Sequence, residues 1–276
     1  MGIVSLFIDS KMPSLFADWI IDKTPNVKWA IIWLSIFSGF ISAFMDNVAT
    51  VLMLAPVTLQ ITKKLKINPV PAIIAIAVAS NLEGAATLVG DTTSILLGSY
   101  ANMDFLDFFF MRGKIGIFWI VQMGAVASTL VLMYLFRKDT QPVYITEKTE
   151  VTDLFPSFLL LTMILLLILA SFVPNKLEIT NGLICMSLLA IGLIRDFLPD
   201  HKVNRIVRTI LEIDFDTLLL LASLFVIIGS ITNVGLIDDI ARIFASIAGN
   251  NVFLIYTILV WFSVIISAFV DNIVAI

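Results

Sequence analysis

The stretch Ile41-Ser42-Ala43-Phe44-Met45-Asp46-Asn47 recurs as Ile266-Ser267-Ala268-Phe269-Val270-Asp271-Asn272, and this pair decides the fold. Six of the seven residues match at an offset of 225. The same offset lays residues 11–24 over 236–249, and both segments are amphipathic. Each copy therefore has an amphipathic segment, an apolar arm and a polar Asp-Asn tip in the same order. Membrane bias explains one short apolar match, but not a matched Asp-Asn inside apolar sequence. An internal repeat of this kind marks a duplicated architecture.

The surrounding composition says what medium this architecture sits in. Of 276 residues, 59% are hydrophobic and 14% are charged, and mean hydropathy is +1.03. A soluble domain carries about a quarter charged residues. Several runs are long enough to cross a hydrocarbon core of roughly 30 Å as helices. In lipid, backbone groups must be satisfied internally, which excludes open strands. No alternating segments of the β-barrel kind appear. The single cysteine, Cys185, lies in an apolar run, and the single histidine, His201, lies in a basic loop. Neither supports a metal or haem centre, no resident cofactor is expected, and the small net charge of −4 implies no nucleic-acid partner. Asp9, Lys11 and Pro13 interrupt the apolar run from Gly2 to Ile8, so it is not read as a secretory signal.

The expected fold is an all-α membrane protein: a polytopic helical bundle with inverted repeats, re-entrant hairpins and an unwound transmembrane helix. A first unit, 1–136, holds an interfacial helix at 11–24, a re-entrant hairpin at 28–62, a broken helix at 70–98 and a helix at 115–136. A cytoplasmic linker follows at 137–153. An incomplete second unit, 154–276, holds helices at 154–173, 179–194 and 215–233, an interfacial helix at 235–249 and a hairpin arm at 252–276. Five crossings separate the two Asp-Asn tips, so the hairpins enter from opposite faces. Inverted repeats of this plan are typical of secondary transporters. With this topology 13 of the 17 Lys and Arg residues fall on one side and 4 on the other. The rule that cytoplasmic loops are positive places the first hairpin and the loops 137–153 and 195–214 in the cytoplasm of a cell with a multi-pass plasma-membrane protein.

Asp46 and Asp271 are the clearest candidates for chemistry. A carboxylate mid-membrane costs about 2.5–3.5 kcal/mol on insertion scales, so it pairs, caps a helix or binds an ion. The plain alternative is that both cap helices in a buried turn. The second constellation, Ser80-Asn81-Leu82-Glu83-Gly84 through Thr87 to Gly90-Asp91-Thr92-Thr93-Ser94, interrupts an apolar run with small and polar residues. Such a stretch allows an unwound backbone with two half-helix ends. Its neutral oxygens suit Na+, and its hydroxyls also donate to an oxyanion. The alternative is an ordinary loop with Glu83 and Asp91 facing solvent. Lys63, Lys64, Lys66, Arg205 and Arg208 read as topology determinants, and Phe108-Phe109-Phe110 with Trp119 as interfacial anchors. Gly90-Asp91 does not make an intramembrane aspartyl protease. Leu88 breaks the Gly-x-Gly-Asp pattern and no Tyr-Asp partner is present.

The residues Ile41 to Thr50 through Ala55-Pro56-Val57, with Ala79-Ser80-Asn81 through Thr87-Leu88-Val89-Gly90-Asp91, resemble the ion transporter superfamily. That superfamily includes arsenite permeases, NhaD-type Na+/H+ antiporters, the melanosomal P protein, and citrate and dicarboxylate permeases. Residues 214–236 resemble its helix before the second hairpin. The resemblance implies substrate and ions between hairpin tips and unwound helices. Carried over, it points to Asp46, Asn47, Thr50, Ser80, Asn81, Thr87, Asp91, Asp271 and Asn272, with Glu83 and Thr92 adjoining. Na+ would sit at Asp46, Asn47, Ser80 and Asn81. Two departures, Glu83 in place of a small or neutral residue and Thr92-Thr93 in place of Pro-Pro, leave the substrate open. The resemblance implies a secondary active transporter, not an enzyme. It would move a small inorganic or carboxylate anion (citrate or dicarboxylate, arsenite or similar) coupled to Na+ or H+. A Na+/H+ antiporter, or a non-transporting membrane fragment or subunit, are the alternatives, and a homodimer of the full-length protein stays open. The counterpart of Ser80–Asp91 would fall at 305–316, and that of helix 215–233 would begin before Met1. The chain is therefore expected to be clipped at both ends and not to transport alone.

Overall fold

The computed structural model describes residues 2–64, 67–143, 149–151, 153–173, 177, 179–200, 215–249 and 251–267. It divides into two compact units, Met1–Ile213 and Asp214–Ile276. The described residues are almost entirely helical, as an all-α membrane protein requires.

In the first unit, α1 (Gly2–Asp9) is a short helix whose Ile3, Val4, Leu6 and Phe7 are buried. It packs on α8 (Phe155–Ala170) and α9 (Thr180–Asp200). The apolar run that failed as a signal sequence is thus part of the core. Next comes α2 (Met12–Lys23), which buries only the narrow seam of Pro13, Ala17 and Ile21. Trp19 is 60% exposed, and Phe16, also exposed, lies against Phe37 with ring centroids 6.0 Å apart. A linker turn leads into α3 (Val27–Ser42), where the Asn26 side chain accepts the Trp29 N–H at 3.2 Å and caps the helix.

Residues 43–46 end α3, and α4 (Asn47–Lys64) follows. Then come α5 (Val70–Gly84), an irregular stretch at 85–91, and α6 (Thr92–Ala101). Small residues at helical spacing, Ser35, Ser38, Gly39 and Ser42, let α3 lie close along α5. Along this contact Ser38 meets Ile76, and Ser42 meets Ser80 one turn later, so α3 and α5 run parallel. The start of α4 meets the same end of α5 through Asn47, Ser80 and Asn81. Its far end returns to the start of α5, where Ile61 joins Val27 and Ala72 in one buried cluster. Thus α3 and α4 form a hairpin whose tip lies at the C-terminal end of α5.

After α6 a 3-10 turn (Phe105–Phe108) leads to a two-stranded ribbon, β1 (Phe110–Met111) and β2 (Lys114–Ile115). Arg112 and Gly113 both have positive φ, 49° and 76°, as a tight hairpin turn with right-handed twist requires. This ribbon divides the run expected to anchor at the interface. Phe108 is fully buried, while Phe110 is 60% exposed beside Trp119 at 6.1 Å between ring centroids. A chain reversal gives adjacent residues opposite surroundings. Helix α7 (Ile117–Leu135) then runs back, starting near Ala43 and Ala86 and ending with Leu132 beside Val27. It is 19 residues long and apolar enough to cross a membrane. Trp119, Ile120, Met123, Val126, Val131 and Tyr134 stand exposed along it. An apolar face this long is a surface for lipid.

The start of the linker folds onto the hairpin's open end. Val27 and Lys28 donate their N–H groups to the Gln141 and Asp139 carbonyls at 2.9 Å each. Asp18 accepts the Thr149 N–H at 2.8 Å. Helix α9 continues six residues beyond the expected end at 194. Arg195 forks onto Asp153 and stacks on Phe155, 4.1 Å from the ring centroid, which ties α9 to the start of α8.

The second unit holds α10 (Phe215–Val234), α11 (Leu236–Ala248) and α12 (Val252–Ser267). Gly235, at φ +81, makes the sharp turn between α10 and α11. The second Asp-Asn, Asp271 and Asn272, lies outside the described residues.

Candidate functional site

Two helix starts and one helix end converge where the hairpin tip meets the break in α5 and α6. Asp46 is the N-cap of α4: its Oδ2 accepts the Ala49 N–H at 2.9 Å, and its carbonyl accepts the Thr50 hydroxyl at 2.9 Å. The capping role read as the plain alternative is therefore real, and it spends one carboxylate oxygen. Asp91 caps α6 in the same way. Its Oδ1 accepts the Thr92 N–H at 2.7 Å, and its Oδ2 accepts the Thr93 hydroxyl at 3.2 Å. Both caps put a carboxylate at a helix N-terminus, where the macrodipole favours negative charge.

A set of hydroxyl bonds fastens the tip to the break. The Ser80 hydroxyl, fully buried, donates to the Asn47 carbonyl at 3.0 Å and lies 3.0 Å from Ser42 Oγ. Thr87, also fully buried, donates to the Ala43 carbonyl. From α6, Ser94 donates to the Gly84 carbonyl at 3.3 Å. The bonds from Thr87 and Ser94 satisfy backbone carbonyls left open where α3 and α5 stop, and the Ser80 bond ties α5 to the first turn of α4. Gly90 makes the approach possible. A Cβ there would lie 2.5 Å from the Gly84 carbonyl oxygen and 2.8 and 2.9 Å from those of Ser42 and Ala43. The side-chain pair Asn47 Nδ2 to Asn81 Oδ1, at 2.9 Å, bridges tip and helix at an accessible edge.

Of the residues expected at a site, Asp46, Asn47, Thr50, Ser80, Asn81 and Thr87 come together here, and Asp91 and Thr92 stand at the next helix start. Glu83 does not join them. It is buried on the opposite side of the break, where its Oε2 accepts a hydrogen bond from Gln122 of α7 at 2.7 Å. It faces neither solvent nor the tip. Gln122, Gly39 and Ser38 are not among the residues singled out from the sequence, and Ser94 stands only at the end of the polar stretch. For Gln122 a signal existed: a carboxamide inside an apolar run needs a partner in lipid. Among the described residues no Lys or Arg pairs with Asp46, Glu83 or Asp91. No group of three or more His, Cys, Asp or Glu side chains assembles among them either.

A helical membrane bundle with a capped hairpin tip set against a broken helix defines a class, that of the ion transporter superfamily. Within it, the model of the citrate transporter family (CitMHS) matches residues 1–276, and the chain belongs to that family. It is 29% identical over 276 residues to an uncharacterized transporter of Mycobacterium tuberculosis, covering 99% of this chain and 63% of that protein. It is 30% identical over 240 residues to a 46 kDa membrane protein of Mycobacterium leprae, covering 84% of this chain and 53% of that one. An uncharacterized transporter of Synechocystis is 27% identical over 241 residues, with 84% and 52% covered. The chain thus spans between half and two thirds of the length of these relatives. The family and the named relatives are transporters and membrane proteins, not enzymes.

Proposed function

We propose that the protein is a secondary active transporter of the plasma membrane, moving a small anion of the citrate, dicarboxylate or arsenite kind coupled to Na+ or H+. The observation that carries this reading is the seating of the Asp46-Asn47 tip on the Ser80–Asp91 break. There two helix N-termini and several side-chain oxygens meet in a bundle with an apolar exterior. Half-helix ends at such a break are suited to binding ions and anionic groups. In this reading the hairpin 28–62 is re-entrant from the cytoplasm, and Asp271 and Asn272 supply an equivalent tip from the opposite face. The site would then comprise Asp46, Asn47, Thr50, Ser80, Asn81, Thr87, Asp91, Thr92, Asp271 and Asn272, with Na+ at Asp46, Asn47, Ser80 and Asn81. Transport follows by alternating access, in which the hairpin-bearing part moves against the rest.

One observation favours Na+/H+ antiport as the second reading: three carboxylates, Asp46, Glu83 and Asp91, surround the break with no basic partner among the described residues. Uptake into proteoliposomes made with the intact protein separates the two. Citrate, C4-dicarboxylates, sulfate and arsenite are offered under imposed Na+ and H+ gradients, with internal pH followed in parallel. Anion uptake that depends on a cation gradient, lost in Asp46→Ala with membrane insertion intact, supports the first reading. Cation exchange without anion uptake selects the second. Full uptake in Asp46→Ala removes the assignment of the tip.

A further inference from the structure

A mostly apolar cleft with a few polar groups lies one helical turn from the hairpin tip, between α3, α5 and α7, and Val126 and Leu130 form its outer rim. Its volume is about 310 Å3, and Ser35, Gly39, Leu82, Glu83, Gln122 and Thr129 are among its walls. Asp46, Asn47 and Asn81 do not line it. Glu83 is its one charged wall residue and is only 9% exposed. Its single described hydrogen bond comes from a neutral carboxamide, that of Gln122. A carboxylate buried among apolar helices without an opposite charge is costly, and Gln122 supplies no charge. The remaining polar walls offer acceptors. The Ser35 hydroxyl has given its hydrogen to the Ile31 carbonyl and that of Thr129 to the Ala125 carbonyl, both at 2.8 Å. What these two oxygens present to the cleft is lone pairs, as does the Gln122 carbonyl oxygen, while one Gln122 N–H is given to Glu83.

We propose that this cleft binds a small monovalent cation, held by the Glu83 carboxylate with the Gln122 carboxamide oxygen and the wall hydroxyls. One carboxylate matches one positive charge, and hard oxygen donors match an alkali cation. An anion meets a like charge there, with only the Ser128 hydroxyl and the second Gln122 N–H as donors. The site has a mechanical link to the hairpin. A Cβ at Gly39 would lie 2.7 Å from Glu83 Cγ, so α3 rests directly on the arm of the ligand. Displacement of α3 therefore displaces the carboxylate. Such a site would serve coupled transport as proposed above and rests on that reading for its purpose, but cation binding in the cleft needs no translocation.

The test is equilibrium binding of radiolabelled Na+ to the purified intact protein in detergent, with Glu83→Gln and Gln122→Leu as variants and Asp46→Ala run in parallel, so that the class of sites kept by Asp46→Ala is the one scored. Saturable binding by the wild type, weakened about tenfold or more by each substitution, supports the site, because a charged partner and an amide ligand are each removed. Wild-type affinity in a monodisperse Glu83→Gln protein overturns it, as does absence of Na+ binding by the wild type. If Glu83→Gln does not fold, Gln122→Leu decides alone, and wild-type affinity there overturns the site. Proteoliposome uptake by the same wild-type protein is scored separately. Glu83-dependent binding without any uptake leaves the cation site standing and removes the transport reading.

Discussion

Replacing Gly90 by alanine tests the seating of the hairpin tip more directly than any polar substitution. The added methyl group would meet three carbonyl oxygens, of Gly84, Ser42 and Ala43, at 2.5, 2.8 and 2.9 Å. Ordinary contact begins near 3.4 Å, so each carbonyl must retreat by about 0.5–0.9 Å. All three belong to backbone, and none can rotate aside as a side chain would. Overpacking of a well-packed interior costs about 1–3 kcal/mol, and these rigid neighbours put Gly90→Ala at the upper end. The retreat also disturbs the Thr87 bond to the Ala43 carbonyl and the Ser94 bond to the Gly84 carbonyl. Gly182→Ala is the control: it lies inside α9, and a Cβ there meets nothing within 4 Å. That change should be neutral or gain up to about 1 kcal/mol from the better helix former. Reversible unfolding of the purified protein in bicelles, wild type against both variants, gives the comparison. Gly90→Ala within about 0.5 kcal/mol of wild type would show that tip and break do not touch as described, and the reasoning built on their contact would fall.

Three further outcomes follow from the same geometry. Ser80→Ala removes a tie between α5 and the first turn of α4 and should cost about 0.5–1.5 kcal/mol in the same unfolding assay, with helix content unchanged by circular dichroism. Asn47→Ala removes a bond at an accessible edge, so its stability cost should stay near or below about 1 kcal/mol while anion uptake falls much further. A double-substitution cycle with Asn81→Ala should then show coupling between the two positions, and strictly additive effects on uptake would contradict the pair. Arg195→Lys loses the fork to Asp153 and the stack on Phe155 but stays partly exposed, so thermal stability should drop by no more than about 1 kcal/mol.

The places where helices stop were legible because each stop is written in residue types that lipid does not tolerate idly. Asp46-Asn47 and the run from Ser80 to Ser94 break apolar sequence, and the structure puts a hairpin tip and an unwound stretch at those positions. Helix rotation was not legible. Glu83 lies three residues beyond Ser80, and nothing local says that it turns to α7 while Ser80 turns to α3 and α4. That difference depends on which neighbours flank α5, a tertiary fact. The short ribbon at 110–115 escaped for another reason, since two-residue strands carry no periodicity to read.

Chemistry within the candidate set divides along a line that residue type alone cannot draw. Thr50, Ser80 and Thr87 look like ligands in the sequence, yet each is buried and each has given its hydroxyl hydrogen to a carbonyl near the tip. They are therefore fixings of the tip, with only lone pairs left for a cation. Asp91 has both carboxylate oxygens engaged by Thr92 and Thr93. The groups with described bonding capacity to spare are the second oxygen of Asp46, the Asn47 oxygen with its second N–H, and the Asn81 NH2 group. The two oxygens accept, and the two amides donate. The Asp46 charge tilts the tip toward a cation. In the proposed transport of an anion, the amide donors and helix starts, or a cation bound first, would meet that anion's charge.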